Sequence, residues 1–162
     1  MPCLDQQVYE SESNQLTSRL VTDWHEELDI ILSALDDSQV ECDGMTRAIS
    51  YALTEVGINH QCYIGHVHET KGDQFVIPHV WIELPRGWLI DFRLRMWIGD
   101  TDEIPHGVFH ASSAPNIVYT HTDVFNTHPV PRVVLDVMTD GRLSHIKIAK
   151  EFVLENPRAL NN

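Results

Sequence analysis

A single α+β domain is what this sequence predicts, with N-terminal helices packed on an antiparallel β-sheet. Three observations carry that expectation. Apolar residues fall at three-and-four spacing from Leu16 to Leu35 and again from Met45 to Val56; the pattern changes after Gly57 to short alternating runs; and Leu84-Pro85-Arg86-Gly87-Trp88 joins two such runs with turn-forming residues.

In the first helical stretch, Leu16, Leu20, Trp24, Leu28, Ile31, Leu32 and Leu35 make one face, while Asp23, Glu26, Glu27, Asp36 and Asp37 occupy the others. One long helix, or two with a break, is expected with Trp24 turned inward. The next helix has two possible starts. Ser38-Gln39-Val40-Glu41 fits a capping box, which would place Gly44 unfavourably inside the helix; a cap at Asp43 instead leaves Cys42 at the helix mouth. Met45, Ala48, Ile49, Ala52, Leu53 and Val56 then form the buried stripe, and Gly57 supplies the stop.

Residues 60–68 and 75–84 read as strands joined by a turn over 69–74 that contains Gly72. Pro85-Arg86-Gly87 suits a three-residue hairpin loop, with proline at the first corner and glycine at the left-handed position. If Leu84 faces Trp88, then Trp81 faces Asp91 and His79 faces Arg93, so His79, Trp81 and Asp91 share one face of the sheet. Asp91 is then the diagonal neighbour of His79, roughly 7 to 8 Å away along the backbone, a gap two side chains can close. A loop one residue longer or shorter would put Asp91 on the opposite face.

After Trp97 the pattern weakens, because Pro105, Pro115 and Pro129 interrupt residues 99–130 and only brief apolar runs such as Ile117 to Tyr119 remain. Arg132 to Met138 and Leu143 to Ile148, flanking Thr139-Asp140-Gly141, fit another hairpin. One domain is expected over residues 1–155, with residues 156–162 a disordered tail. The 162 residues suffice for one sizeable core.

A net charge of −13, spread along the chain, argues against nucleic acid and anionic membranes as partners. No basic and apolar leader opens the chain, and no window approaches about 18 consecutive apolar residues, so a cytoplasmic protein is expected, export by a specialised route being left open. Cys3, Cys42 and Cys62 have unrelated spacings that suit neither a disulfide framework nor a zinc set, and no cofactor is expected.

Cys42 stands out by position. By itself a free cysteine is usually a small buried hydrophobe, but a thiol at a helix N-terminus lies at the positive end of the macrodipole, which favours a thiolate. Glu41 and Asp43 oppose that effect by like charge, so a cationic partner is required, and His79 is the candidate. Cys42, His79 and Asp91 together read as nucleophile, base and orienter.

These residues carry a resemblance. Cys42 opens a helix, Leu53 closes it near Gly57-Ile58, Ile64-Gly65 ends a short run, His79-Val80-Trp81-Ile82-Glu83 follows, and Trp88-Leu89-Ile90-Asp91 completes the set. In that order, over residues 42–91, the chain resembles the transglutaminase-like (papain-like) cysteine enzyme superfamily. Thr46 and Arg47 stand where the family often has small or apolar residues, and Val80 replaces its usual alanine.

The resemblance implies a transglutaminase-like core in which Cys42 attacks a carbonyl, His79 takes and returns the proton, and Asp91 holds the imidazole. A thioester on Cys42 then passes to water or to an amine. Hydrolysis of a peptide or side-chain amide of a protein or peptide substrate is favoured slightly over amine transfer. For the oxyanion, the backbone N–H of Cys42 is the first donor; Gln39 and Trp24 are the side-chain choices upstream, but one suits an exposed loop and the other a core stripe, so neither joins the catalytic set. Trp81 reads as core beside His79, and Trp88 and Trp97 as packing or as the wall of an acyl groove.

Two other classes compete. His66 and His68 share a strand face and can chelate a borderline metal, with His106, His110, His121 and His128 scattered downstream. A catalytically dead relative that binds a partner through the old cleft is the third reading. Neither the substrate nor the oligomeric state is legible in the sequence.

Overall fold

The computed structural model describes residues 24–148, which fold as a mixed α+β protein with helices and a five-stranded antiparallel sheet. Helix α1 runs over residues 24–32 and tightens into a turn at Ser33–Leu35. Trp24, Leu28, Leu32 and Leu35 are its buried face, as the spacing predicts, while Ile31 of the same stripe is only half-buried. Leu16 and Leu20 of the same stripe, and the proposed tail at 156–162, lie outside the described residues.

Helix α2 spans Cys42–Val56, with Glu41 as a cap residue whose side chain makes no capping bond. Both expected starts are therefore slightly off. Ser38 does not open the helix; its hydroxyl donates to Leu35 O and closes the turn before it. Asp43 lies within the first turn, where its carboxylate accepts from Gly44 N. Gly44 is tolerated there because of a close approach: a Cβ would stand 2.9 Å from Val40 Cβ and 3.5 Å from the Met138 methyl. Gly57 ends the helix at φ 78°, and its N–H bonds back to Leu53 O.

The strands are β1 (Gln61–Glu69), β2 (Gln74–Leu84), β3 (Trp88–Asp91), β4 (Gly107–His110) and β5 (Ile117–Val124), in the order β4-β3-β2-β1-β5. In the β2–β3 hairpin Leu84 pairs with Trp88 and Ile82 with Ile90, the register the three-residue loop requires. Arg86 joins Gly87 at positive φ in that loop, so the tight reversal uses two left-handed residues where the sequence signals one. The paired strand ends at Asp91, and Arg93 turns away before it can face His79.

One face of the sheet packs Cys62, Ile82, Leu84 and Ile90 against the buried faces of α1 and α2. The other gathers Trp81, Leu89 and Phe109 with Tyr63 and Tyr119. The sheet curls strongly enough that Phe109, on one edge strand, and Tyr119, on the other, bring their rings to 6.2 Å.

Residues 99–130, opaque in sequence, supply both edge strands. The expected hairpin over 132–148 is not formed: Arg132–Met138 is a helix, α4, and Arg142–His145 a short 3-10 turn. The valines of that segment suggest a strand, but Pro131 sets the entry, Leu135 and Thr139 are buried one helical turn apart, and the Thr139 hydroxyl donates to Leu135 O. Gly141, at φ 76°, precedes the turn.

Candidate functional site

His79 comes from the middle of β2 and is fully buried, at 0% exposure. Its Nε2–H donates to Asp91 Oδ2 at 2.6 Å, closing the diagonal that the register sets up. Because Nε2 is committed to a carboxylate, Nδ1 is the nitrogen free to act as a base. Nδ1 is itself buried without a well-formed hydrogen bond, while the second side chain that interacts with the imidazole is Cys42. The Cys42 side chain is thus close enough to act on the imidazole, while Nδ1 itself makes no hydrogen bond. The three residues named from sequence are thus in one place.

The helix mouth keeps Cys42 half-buried, in contrast to Cys62, which is buried beneath the sheet and whose thiol is pushed up by that burial. Both are free thiols. As the first residue of α2, Cys42 presents a backbone N–H that has no intrahelical acceptor.

Asp91 receives four donors. Oδ2 accepts from His79 Nε2 and, at 2.9 Å, from the Tyr119 hydroxyl; Oδ1 accepts from the backbone N–H of Arg93 at 2.8 Å and of Leu94 at 3.1 Å. One carboxylate therefore caps the turn that ends β3 and orients the histidine, so its rotamer is fixed from both sides.

Burial by itself lowers the proton affinity of His79, but the charge of Asp91, its hydrogen bond and the Cys42 side chain outweigh that and raise the pKa from 6.5 to about 9. A histidine raised by folding stabilises the fold fully below about 6.5, and that contribution is lost as pH rises through about 9. Urea unfolding between pH 6 and 10 should accordingly show stability falling on the alkaline side, and His79→Gln should flatten that slope. A slope equal in the two proteins would mean His79 is not the titrating group.

Arg93 is the strut that sequence reasoning did not identify. Its guanidinium, on a residue 3% exposed, donates from Nε to Val40 O at 2.7 Å and from Nη2 to Ser38 O at 2.9 Å and Asp36 O at 3.1 Å. Nη1 pairs with Asp36 Oδ1 at 2.9 Å. The loop that leads into Cys42 is thereby tied to the residue whose N–H binds Asp91. Asp36 Oδ2 in turn contacts His106 Nε2 at 2.7 Å. Tyr119 was likewise visible only as part of an apolar run, because its partner lies 28 positions away.

The other candidates disperse. Trp24 belongs to the core. Gln39 is exposed, its amide 3.5 Å from Asp37 O. Trp81 is fully buried, 6.3 Å between ring centroids from His79, and donates to Glu83 Oε1. Trp88 stacks on His25 at 3.7 Å, which makes it packing, and Trp97 is exposed on the short helix α3 (Arg95–Ile98).

Among the described residues no three His, Cys, Asp or Glu side chains converge on a metal position, and no helix is long and apolar enough to cross a membrane. His68 instead stacks on Phe75 and bonds Asp73 at 2.8 Å.

The fold and this cluster define an α+β protein with a buried His–Asp pair set against a helix-mouth cysteine. Compared with family models, with curated proteins and with solved structures, the chain gives no match.

Proposed function

We propose that this protein is a cysteine-dependent acyl-transfer enzyme built on a transglutaminase-like, papain-like core. The observation that carries the reading is the convergence of Cys42, His79 and Asp91, with one imidazole nitrogen held at 2.6 Å by the carboxylate and the Cys42 side chain close enough to act on the same imidazole. Supporting it are the order of the three residues in the chain and the place of the cysteine at the start of α2 over the sheet.

In the proposed reaction the Cys42 Sγ thiolate attacks the carbonyl carbon of an amide, and the oxyanion takes the Cys42 backbone N–H. Imidazolium His79 gives its Nδ1 proton to the leaving nitrogen as the C–N bond breaks, leaving a thioester on Cys42. Water then attacks with His79 accepting its proton, the C–S bond breaks, and the thiolate–imidazolium pair returns. Asp91 holds Nε2–H throughout and stabilises the cation. The acceptor is water, giving peptidase, amidase or deamidase chemistry; an amine in its place gives transamidation.

Intact-mass analysis of candidate protein and peptide substrates tests the reading. A gain of about 1 Da marks deamidation, a loss of about 17 Da on cross-linking marks transamidation, and fragmentation marks peptidase action. Asp91→Ala should keep the nucleophile but lose most of the rate, on the order of 10³-fold or more, since the imidazole loses both tautomer and orientation. Equal rates for Asp91→Ala and the unaltered protein would remove Asp91 from the mechanism.

A further inference from the structure

Asp91 Oδ2 serves two donors from opposite sides: His79 Nε2 on β2 at 2.6 Å and the Tyr119 hydroxyl on β5 at 2.9 Å. Tyr119 is not a neighbour of Asp91 in the sheet, since β5 is one edge and β3 lies three positions across in the strand order. It reaches the carboxylate only because the sheet curls, and its ring is fixed there edge-on to Trp81 at 5.1 Å and near Phe109 at 6.2 Å. Although the residue as a whole is half-buried, its hydroxyl lies inside.

We infer that Tyr119 is a positioning residue that sets how strongly Asp91 holds the His79 proton, an inference that rests on the cysteine-enzyme reading above. A carboxylate oxygen shared between two donors places less charge on each, so the Tyr119 bond weakens the grip of Asp91 on the imidazolium. The imidazolium is then a better acid toward a leaving amine than an unshared histidine–aspartate pair would allow. The same bond stops Oδ2 from rotating away from Nε2, while the Arg93 and Leu94 N–H groups hold Oδ1.

Among the described residues, Cys42 of α2 acts on the imidazole, Glu83 of β2 is occupied by the Trp81 indole N–H, and the Arg93 guanidinium is turned toward Asp36 and the loop before α2. From β5, His121 lies in the same cross-strand row as His79, across Gly65, and stacks on Tyr63 of β1 at 4.3 Å. Burial and the Asp91 charge push the Tyr119 phenol well above its ordinary value of 10.0, so it remains a donor while His79 titrates.

Alkylation of Cys42 tests this. Iodoacetate is an anion whose attack is helped by the imidazolium, so its rate falls as His79 loses its proton; neutral iodoacetamide follows the thiolate alone. With each rate measured from pH 5 to 11 and single modification of Cys42 confirmed by mass, Tyr119→Phe should move the alkaline limb for iodoacetate upward by about one pH unit, the value expected for losing one hydrogen bond to a charged group. The iodoacetamide plateau should stay in place. Turnover of any substrate found should fall several-fold, with a larger loss in kcat than in KM.

Phenylalanine keeps the ring against Trp81 and Phe109, and a melting curve checks that packing separately. A limb that stays in place in Tyr119→Phe while His79→Ala abolishes it would overturn the inference and leave the enzyme reading standing. If unaltered Cys42 reacts no faster than a free thiol and shows no alkaline limb, the enzyme reading fails and the role of Tyr119 fails with it.

Discussion

Cys42→Ala is expected to remove activity by at least about 10³-fold while leaving the fold intact, because only the nucleophile is lost. The residue is half-buried at a helix start, and alanine is a good helix former that needs no more room. Cys42→Ser should be nearly as inactive, since the proposed mechanism needs a thiolate and a serine hydroxyl is a far weaker nucleophile at neutral pH. Turnover by Cys42→Ala under conditions where the unaltered protein acts would exclude the thioester mechanism outright. A melting temperature close to that of the parent shows that lost activity is lost chemistry.

Arg93→Met should produce the largest loss of stability. The side chain is apolar and similar in length, so volume is kept while every guanidinium bond disappears. Carbonyls of Asp36, Ser38, Val40 and Phe92 lose a donor, three of them in the loop that delivers Cys42 to the site. Each carbonyl left buried and unsatisfied costs about 1 to 3 kcal/mol, and with water reaching some of the four a loss on the order of 3 kcal/mol is expected. The Asp36 ion pair adds less, because that carboxylate is partly solvated and also bonds His106. Thermal or urea unfolding measures the stability, and the iodoacetate rate at Cys42 measures the loop. Both should fall together, and a stable variant with unchanged Cys42 reactivity would show that the loop does not depend on Arg93.

The cysteine's surroundings also explain why its sequence neighbours were ambiguous. Glycine in the first turn of a helix is unfavourable as a local choice, yet Gly44 is required by the approach of Val40 and Met138. The start of α2 was therefore readable only to within a residue or two, while Gly57 marked its end plainly. The valines of α4 misled for a related reason: β-branched residues favour strands on average, but among the described residues no strand pairs with residues 132–138, and burying Leu135 and Thr139 on one side decides for a helix.

By itself the sequence determined what depends on near neighbours. Apolar periodicity set the buried faces of α1 and α2, and turn chemistry at Pro85-Arg86-Gly87 fixed the β2–β3 register, which commits His79 and Asp91 to one face. Tertiary structure alone decided what depends on how the sheet bends. The curl brings Tyr119 from the far edge onto Asp91, the break after Asp91 turns Arg93 toward the loop before Cys42, and the residues around β4 and β5 find places that no local pattern specifies. Side-chain alternation survives in a linear sequence because it is local to each strand, whereas sheet twist and closure arise from many distant pairings at once.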